Sequence, residues 1–244
     1  MANRRAVDPF RRGFLGLALA ALAARLARGA RAAGGPLNIG TVGSGRIGST
    51  LGGLWVGAGH AVMFSSRHPP ELKDLVERLG PLARAGSVAE AIAFADVVLL
   101  AVPYRALPEI GKEHAPALAA KALVLDACNP FPSRDGEIGA WARDKGAGLA
   151  TAELLPGAHL VRAFNAIGAA RLPELARREG ERVGMPIAGD DAKALELAAG
   201  LIREIGLDPV PVGSLAMGRY LVPGTPLAGE HTREEIRTIA AGLK

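Results

Sequence analysis

The amino-acid sequence predicts an α/β fold, a doubly wound and mostly parallel sheet with helices on both faces. Three observations carry this. Short apolar runs alternate with segments of helical spacing, several runs are apolar throughout as strands buried on both faces must be, and a glycine-rich loop joins the first run to a helix. The chain has 244 residues, is 49% hydrophobic and has a mean hydropathy of +0.21. That is enough apolar material for a substantial core and too much for a disordered chain. Its 32 glycines follow no collagen-like period, and its single cysteine rules out an intramolecular disulfide.

The net charge of +5 is unevenly placed. Residues 1–33 hold Arg4, Arg5, Arg11, Arg12, Arg25, Arg28 and Arg31 against the single acid Asp8, while the 22 basic and 23 acidic residues from Gly34 onward leave −1. Nucleic-acid binding therefore loses its electrostatic support. The leader has the order of an export signal: a basic start, the apolar stretch from Gly13 to Ala24, and small residues around Ala30-Arg31-Ala32. That stretch is shorter than the roughly 20 residues of a spanning helix, so no stable membrane insertion of the mature chain is expected. Arg11-Arg12 followed by Gly13-Phe14-Leu15 resembles the bacterial twin-arginine signal, which addresses folded proteins for export. The expectation is a signal peptide over 1–33 and a periplasmic chain from 34 to 244, with a cytoplasmic protein as the alternative if the leader is misassigned.

Within the mature chain, Leu37 to Val42 reads as the first strand and leads into Gly43-Ser44-Gly45-Arg46-Ile47-Gly48. Ile47, Leu51, Leu54 and Trp55 then recur at helical spacing, and Ala61 to Phe64 forms a second strand. Glu71 to Leu79 reads as a helix, and Ser87-Val88-Ala89-Glu90 has the spacing of a capping box. Asp96 to Val102, Ala122 to Asp126 and His159 to Phe164 are further strands. Met185 to Ala188 and Pro209 to Val212, each containing proline, are expected as edge strands around a helix from Asp191 to Ile205. Thr232-Arg233-Glu234-Glu235 repeats the capping-box spacing and opens a final short helix. No internal boundary divides 34–244, so one domain is expected.

Strand, glycine loop, helix and strand form the βαβ unit in which these glycines acquire meaning. Gly43 serves the tight turn, Gly45 the approach of a pyrophosphate and Gly48 the packing of helix on strand, which makes the fold Rossmann-type. The helix N-terminus offers N–H groups and a positive dipole end to phosphates. After the second strand the sequence runs Phe64-Ser65-Ser66-Arg67-His68-Pro69, with no acid until Glu71. An arginine beside hydroxyls suits a ribose 2′-phosphate, whereas a carboxylate there would suit a 2′-hydroxyl. The cofactor expected is NADP(H), with Ser66 and Arg67 on the phosphate.

Taken together, these segments resemble the NADPH-dependent F420 reductase family, the coenzyme-F420-dependent NADP oxidoreductases. The resemblance runs from about Leu37 to Leu221. It rests on Ile39 to Gly48, on Ser66-Arg67, on Val98-Leu99-Leu100-Ala101-Val102-Pro103-Tyr104, on Asp126-Ala127-Cys128-Asn129-Pro130, on Val161 to Ala169 and on Ile187 to Asp191. The same domain occurs in the cytosolic part of the six-transmembrane epithelial antigen metalloreductases. The resemblance implies NADPH bound along Ser44, Gly45, Arg46 and Ile47, with Val102 and Pro103 beside the cofactor and Asn165 and Ala166 near the nicotinamide. It further implies F420 or a flavin as second hydride carrier, and a homodimer contact. The chain departs from the family in having Asn165 where archaeal members carry histidine, Glu71 where a lysine follows the Ser-Arg pair, and Gly224 to His231 in place of a C-terminal hydrophobic helix.

The function read from this is an NADP(H)-dependent oxidoreductase passing hydride to a flavin, deazaflavin or small-molecule acceptor. The alternative is a non-catalytic or sensory NADP-binding protein. Hydride transfer between stacked rings needs alignment and dryness more than an acid or base, so no general acid–base residue is assigned. Cys128 is expected as a buried inert thiol, Asp190 as a helix cap, and His159 and His231 as structural or exposed residues. Tyr104 either stacks on a bound ring or is buried at a helix start, and Asn129 and Asn165 either orient an amide or shape turns. No metal site is expected.

Overall fold

The computed structural model describes residues 35–243, so the leader expected over 1–33 lies outside the described residues. The first half of the sheet winds as β1 (Asn38–Val42), α1 (Arg46–Gly57), β2 (Ala61–Ser65), α2 (Lys73–Leu79), β3 (Ala83–Gly86), α3 (Val88–Phe94) and β4 (Val97–Leu100). The chain continues through α4 (Leu107–Ala119), β5 (Leu123–Asp126), α5 (Pro132–Lys145), α6 (Ala147–Leu154), β6 (Leu160–Arg162) and α7 (Leu172–Leu175). It ends with β7 (Gly184–Gly189), α8 (Ala192–Glu204), β8 (Asp208–Gly213) and α9 (Arg233–Gly242). The strand order is β3-β2-β1-β4-β5-β6-β7-β8, and every neighbouring pair is parallel except β6 with β7. The first six strands therefore have the Rossmann order, as the sequence predicts.

Two apolar layers hold the sheet, one on each face, because successive strand side chains point to opposite sides. Val97, Leu99, Leu123 and Leu125 pack with Leu51 and Trp55 of α1 and with Ala194, Ala198 and Ile202 of α8. Val98, Leu100 and Val124 pack on the other side with Ile92, Leu107, Ile110 and Leu118 from α3 and α4. Trp55 is fully buried and keeps its one polar atom satisfied, its indole N–H donating to the Leu201 carbonyl at 3.1 Å.

Two local expectations are corrected. Met185 to Ala188 is not an edge strand: β7 lies between β6 and β8 with all six residues buried. It tolerates Pro186 because β6 pairs only with Ala188 and Gly189, so no ladder bond from that proline is required on the β6 side. The edge strands are β8, which carries Pro209 and Pro211, and β3, whose Ala-Arg-Ala-Gly sequence has little intrinsic β preference. The cap of α8 is Asp191, which accepts from the Lys193 and Ala194 N–H groups, while Asp190 accepts from the Leu215 N–H at 3.1 Å.

Both capping boxes form as predicted. At α3, Ser87 accepts from the Glu90 N–H and Glu90 reaches back to the Ser87 N–H at 2.8 Å. Ser87→Ala is expected to destabilise the fold by about 1 kcal/mol, read as a lower urea midpoint with an unchanged slope.

Candidate functional site

The glycine loop lies at the carboxyl end of β1, where the chain winds one way to β2 and the other way to β4. Open α/β sheets bind ligands at such a switch point. Gly43 has φ +93°, and a Cβ there would stand 2.7 Å from the Ala101 carbonyl oxygen. A Cβ on Gly48 would stand 2.0 Å from the Gly43 carbonyl oxygen, so the first turn of α1 packs on the loop only as glycine. Gly45 differs, because a Cβ there would meet nothing within 4 Å. Its bareness is not required by packing and leaves the backbone open to the cavity in front.

That cavity has a volume of about 640 Å³ and is lined by Gly43, Ser44 and Gly45, by Ser65, Ser66 and Arg67, and by Ala101, Val102 and Pro103. It continues past Glu71, Leu72 and Val88 to the α4 face. Seven sequence-predicted site residues thus share one wall: Gly43, Ser44, Gly45, Ser66, Arg67, Val102 and Pro103. Arg46, Ile47 and Gly48 form the first turn of α1 behind Gly45. This helix start has no acidic residue in its first turn and no side-chain cap, so its N–H groups and dipole are left for an anion.

Two neighbouring serines have different tasks. Ser65 is fully buried and its hydroxyl accepts from the Gly43 N–H at 3.2 Å, tying β2 to the loop. Ser66 is at the cavity, where its hydroxyl accepts from the His68 N–H at 3.0 Å. Arg67 is exposed and makes no hydrogen bond or ion pair with the described residues. Lys73, the nearest lysine in sequence, instead faces Glu77 at 3.8 Å on the exposed side of α2.

Asn165 and Ala166 lie apart from this lining, at the carboxyl end of β6, two strands from β4. Asn165 belongs to a polar network that the sequence reading did not foresee. Arg162 and Asp126 face each other across β5 and β6 and form an ion pair at 2.7 Å, each side chain only 1% exposed. The same guanidinium donates to the Cys128 carbonyl at 2.9 Å and to Asn129 Oδ1 at 3.1 Å. Asn129 Nδ2 donates to the Asn165 carbonyl at 2.9 Å, and Asn165 Nδ2 to the Cys128 carbonyl at 3.3 Å. Asn165 Oδ1 and Arg162 Nε are buried without a partner. Just before Asn165, Phe164 has φ +65°, a left-handed backbone that bulky residues rarely adopt. The available signal was one acid and one base at the ends of two otherwise apolar strands, which in a sheet buried on both faces must find each other.

Tyr104 does not stack in the cavity. It is fully buried, with its hydroxyl 3.1 Å from Thr151 Oγ1, and burial together with the Asp126 charge raises its pKa. Cys128 is the inert thiol expected, since burial, reinforced by Asp126, pushes it well above the usual thiol range. His159 bonds Asp191 at 2.5 Å, in a structural role. Among the described residues no group of three or more His, Cys, Asp or Glu side chains could hold a metal ion, and no helix is long and apolar enough to cross a membrane.

The chain is similar to known proteins over the region that holds the cavity. Residues 38–130, from β1 to just past β5, match the family described as NADP oxidoreductase coenzyme F420-dependent. That stretch is similar to this family. The matched segment contains the whole cavity lining, from Val42 to His114. Metalloreductase STEAP3 of Rattus norvegicus is 32% identical over 184 residues, covering 74% of this chain and 35% of that protein. The chain thus spans about a third of the length of that relative. Among solved structures, the hypothetical protein SMa0349 of Sinorhizobium meliloti is 28% identical with a TM-score of 0.66, over 81% of this chain and 96% of that one. A protein of Arthrobacter sp. FB24 described as an F420-dependent NADP reductase shares the fold at TM-score 0.64 and 22% identity, over 75% and 87% of the two chains.

Proposed function

We propose that this chain is an NADP(H)-dependent oxidoreductase that moves hydride between the nicotinamide and a flavin, a deazaflavin of the F420 type or another small acceptor. The observation that carries the reading is the single cavity that joins an uncapped helix N-terminus, the open face of Gly45 and the unpaired Arg67 guanidinium. Each suits one part of NADP(H): the pyrophosphate at the helix start and the 2′-phosphate at Ser66 and Arg67. Bound there, the cofactor supplies the hydride. The protein fixes its position through the loop N–H groups, closes one side with Val102 and Pro103, and leaves the nicotinamide end toward β5 and β6. Asn129 and Asn165 lie at the carboxyl ends of β5 and β6, where Arg162 donates to Asn129 and Asn129 in turn donates to the Asn165 carbonyl.

The test is titration of the full chain with NADPH and NADH, followed by stopped-flow oxidation of bound NADPH with flavin mononucleotide or F420 added. Tight NADPH binding and acceptor-dependent oxidation support the reading. Failure to bind either dinucleotide below millimolar concentration defeats it, and binding without turnover by any acceptor favours the non-catalytic alternative.

We also propose that the leader exports the folded protein, cofactor included, to the periplasm, since folded export allows a cytoplasmic cofactor to travel with its protein. Replacing Arg11 and Arg12 together by lysine is expected to retain the full chain in the cytoplasm, measured by cell fractionation. Unchanged export would remove the twin-arginine assignment.

A further inference from the structure

The glycine loop and Arg67 account for only part of the cavity. Beyond them it opens into a slot whose walls come from three separate elements: Leu72 before α2, Val88 at the start of α3, and Ala106 and Ile110 at the start of α4. Four aliphatic side chains converging on one space, next to a phosphate-binding loop, suit a flat apolar ring system. The polar groups at the slot's edge are uneven in their commitments. Arg105 is engaged, its guanidinium donating to the Arg134 carbonyl at 2.7 Å and its backbone N–H to Asp135. Glu113 stands 3.6 Å from the imidazole of its neighbour His114. Glu109 lies one helical turn after Arg105 and beside Ile110, is exposed, and has no hydrogen bond or ion pair with the described residues. Arg67 lines the same cavity and is equally unpaired, so the two opposite charges are held apart within one site.

A carboxylate only accepts hydrogen bonds. At the edge of a base-sized slot it favours a ring that presents N–H donors and rejects one that presents a carbonyl oxygen, because two acceptors facing each other lose their solvation and gain nothing. Adenine carries an exocyclic amino group at position 6, whereas hypoxanthine carries an oxygen there. We infer that Glu109 is a specificity-determining residue that accepts a hydrogen bond from the 6-amino group of the adenine seated between Leu72, Val88, Ala106 and Ile110. This rests on the dinucleotide reading above and adds the base for which the site selects.

The experiment is calorimetric titration of the full chain with NADPH and with its deamino analogue, in which hypoxanthine replaces adenine. The two ligands share phosphates, riboses and nicotinamide, so their ratio isolates the base. The wild-type chain is expected to bind NADPH about tenfold more tightly than the analogue, the discrimination of a site built to bond a donor that the analogue lacks. Glu109→Ala should bring NADPH down to the level of the analogue. Glu109→Gln should bring the two ligands together from the other side, since its amide can also donate to the hypoxanthine oxygen. Circular dichroism confirms folding of each variant, and Glu137→Gln, exposed on α5 outside the cavity lining, is expected to leave the ratio as it is. Equal binding of the two ligands by the wild-type chain, or a ratio unmoved by both Glu109 variants, overturns the assignment of Glu109 and leaves the dinucleotide site standing. Binding of neither ligand overturns the dinucleotide reading and this inference with it.

Discussion

Arg162→Met is expected to destabilise the fold by about 3–5 kcal/mol, measured by urea denaturation at neutral pH, because removing one member of a buried ion pair strands the other. Asp126 would keep only the Cys128 N–H, at 2.9 Å, in an environment where its side chain is 1% exposed. The Cys128 carbonyl and Asn129 Oδ1 would lose the guanidinium as donor at the same time. Methionine fills much of the space of the arginine stem, so the loss reports the stranded charge more than a cavity. The matching double variant Asp126→Leu with Arg162→Met removes both charges and should recover a large part of the deficit. A double variant no more stable than the single one would show that the hydrogen bonds to Cys128 and Asn129, rather than the charge pair, hold this end of the sheet. The stem also has a neighbour fitted to it: a Cβ on Gly218 would come within 2.6 Å of Arg162 Cδ, so the turn from Leu215 to Tyr220 closes over the arginine only as glycine.

This network marks the limit of what the sequence makes legible. The glycine loop could be read because two of its glycines answer local demands, a left-handed turn at Gly43 and close packing at Gly48, that no other residue type meets. The capping boxes at Ser87 and Thr232 could be read for the same reason, since partner and cap are three residues apart. Asp126 and Arg162 are 36 residues apart and meet only because β5 and β6 pair in one register, which local pattern does not specify. β3 was invisible because its pairing is supplied by β2 rather than by its own residues. The prolines of β7 and β8 carried a correct rule to one wrong place. Proline does avoid ladder positions, but a short neighbouring strand creates such a place inside a sheet as readily as an edge does. At the cavity, Ser66 and Arg67 were legible from their position after the second strand. The α4 wall was not, because Glu109 and Ile110 approach the loop only through the packing of α4 against β4 and β5.

Arg67→Ala should weaken NADPH binding by about 1.5–3 kcal/mol, roughly ten- to more than a hundredfold, and leave NADH nearly unchanged. The difference between the two dinucleotides is the 2′-phosphate, and the charged group available to it at this end of the cavity is a guanidinium with no competing partner. Ser66 can add one hydroxyl, and Glu71 lies on the same wall with a charge of the wrong sign, so selectivity falls largely on Arg67. Because Arg67 is exposed, the effect should shrink as salt is raised from 0.05 to about 0.5 M, where the screening length drops to a few ångströms. Arg67→Lys keeps the charge but loses the planar two-pronged contact, and should fall between the wild type and Arg67→Ala. If NADPH and NADH weaken together, Arg67 touches a part common to both, and the phosphate assignment fails even though a dinucleotide site remains. If NADPH alone weakens and the lysine variant rescues part of the loss, the preference for NADPH comes from one side chain at the end of β2, as the absence of an acid between Phe64 and Glu71 first suggested.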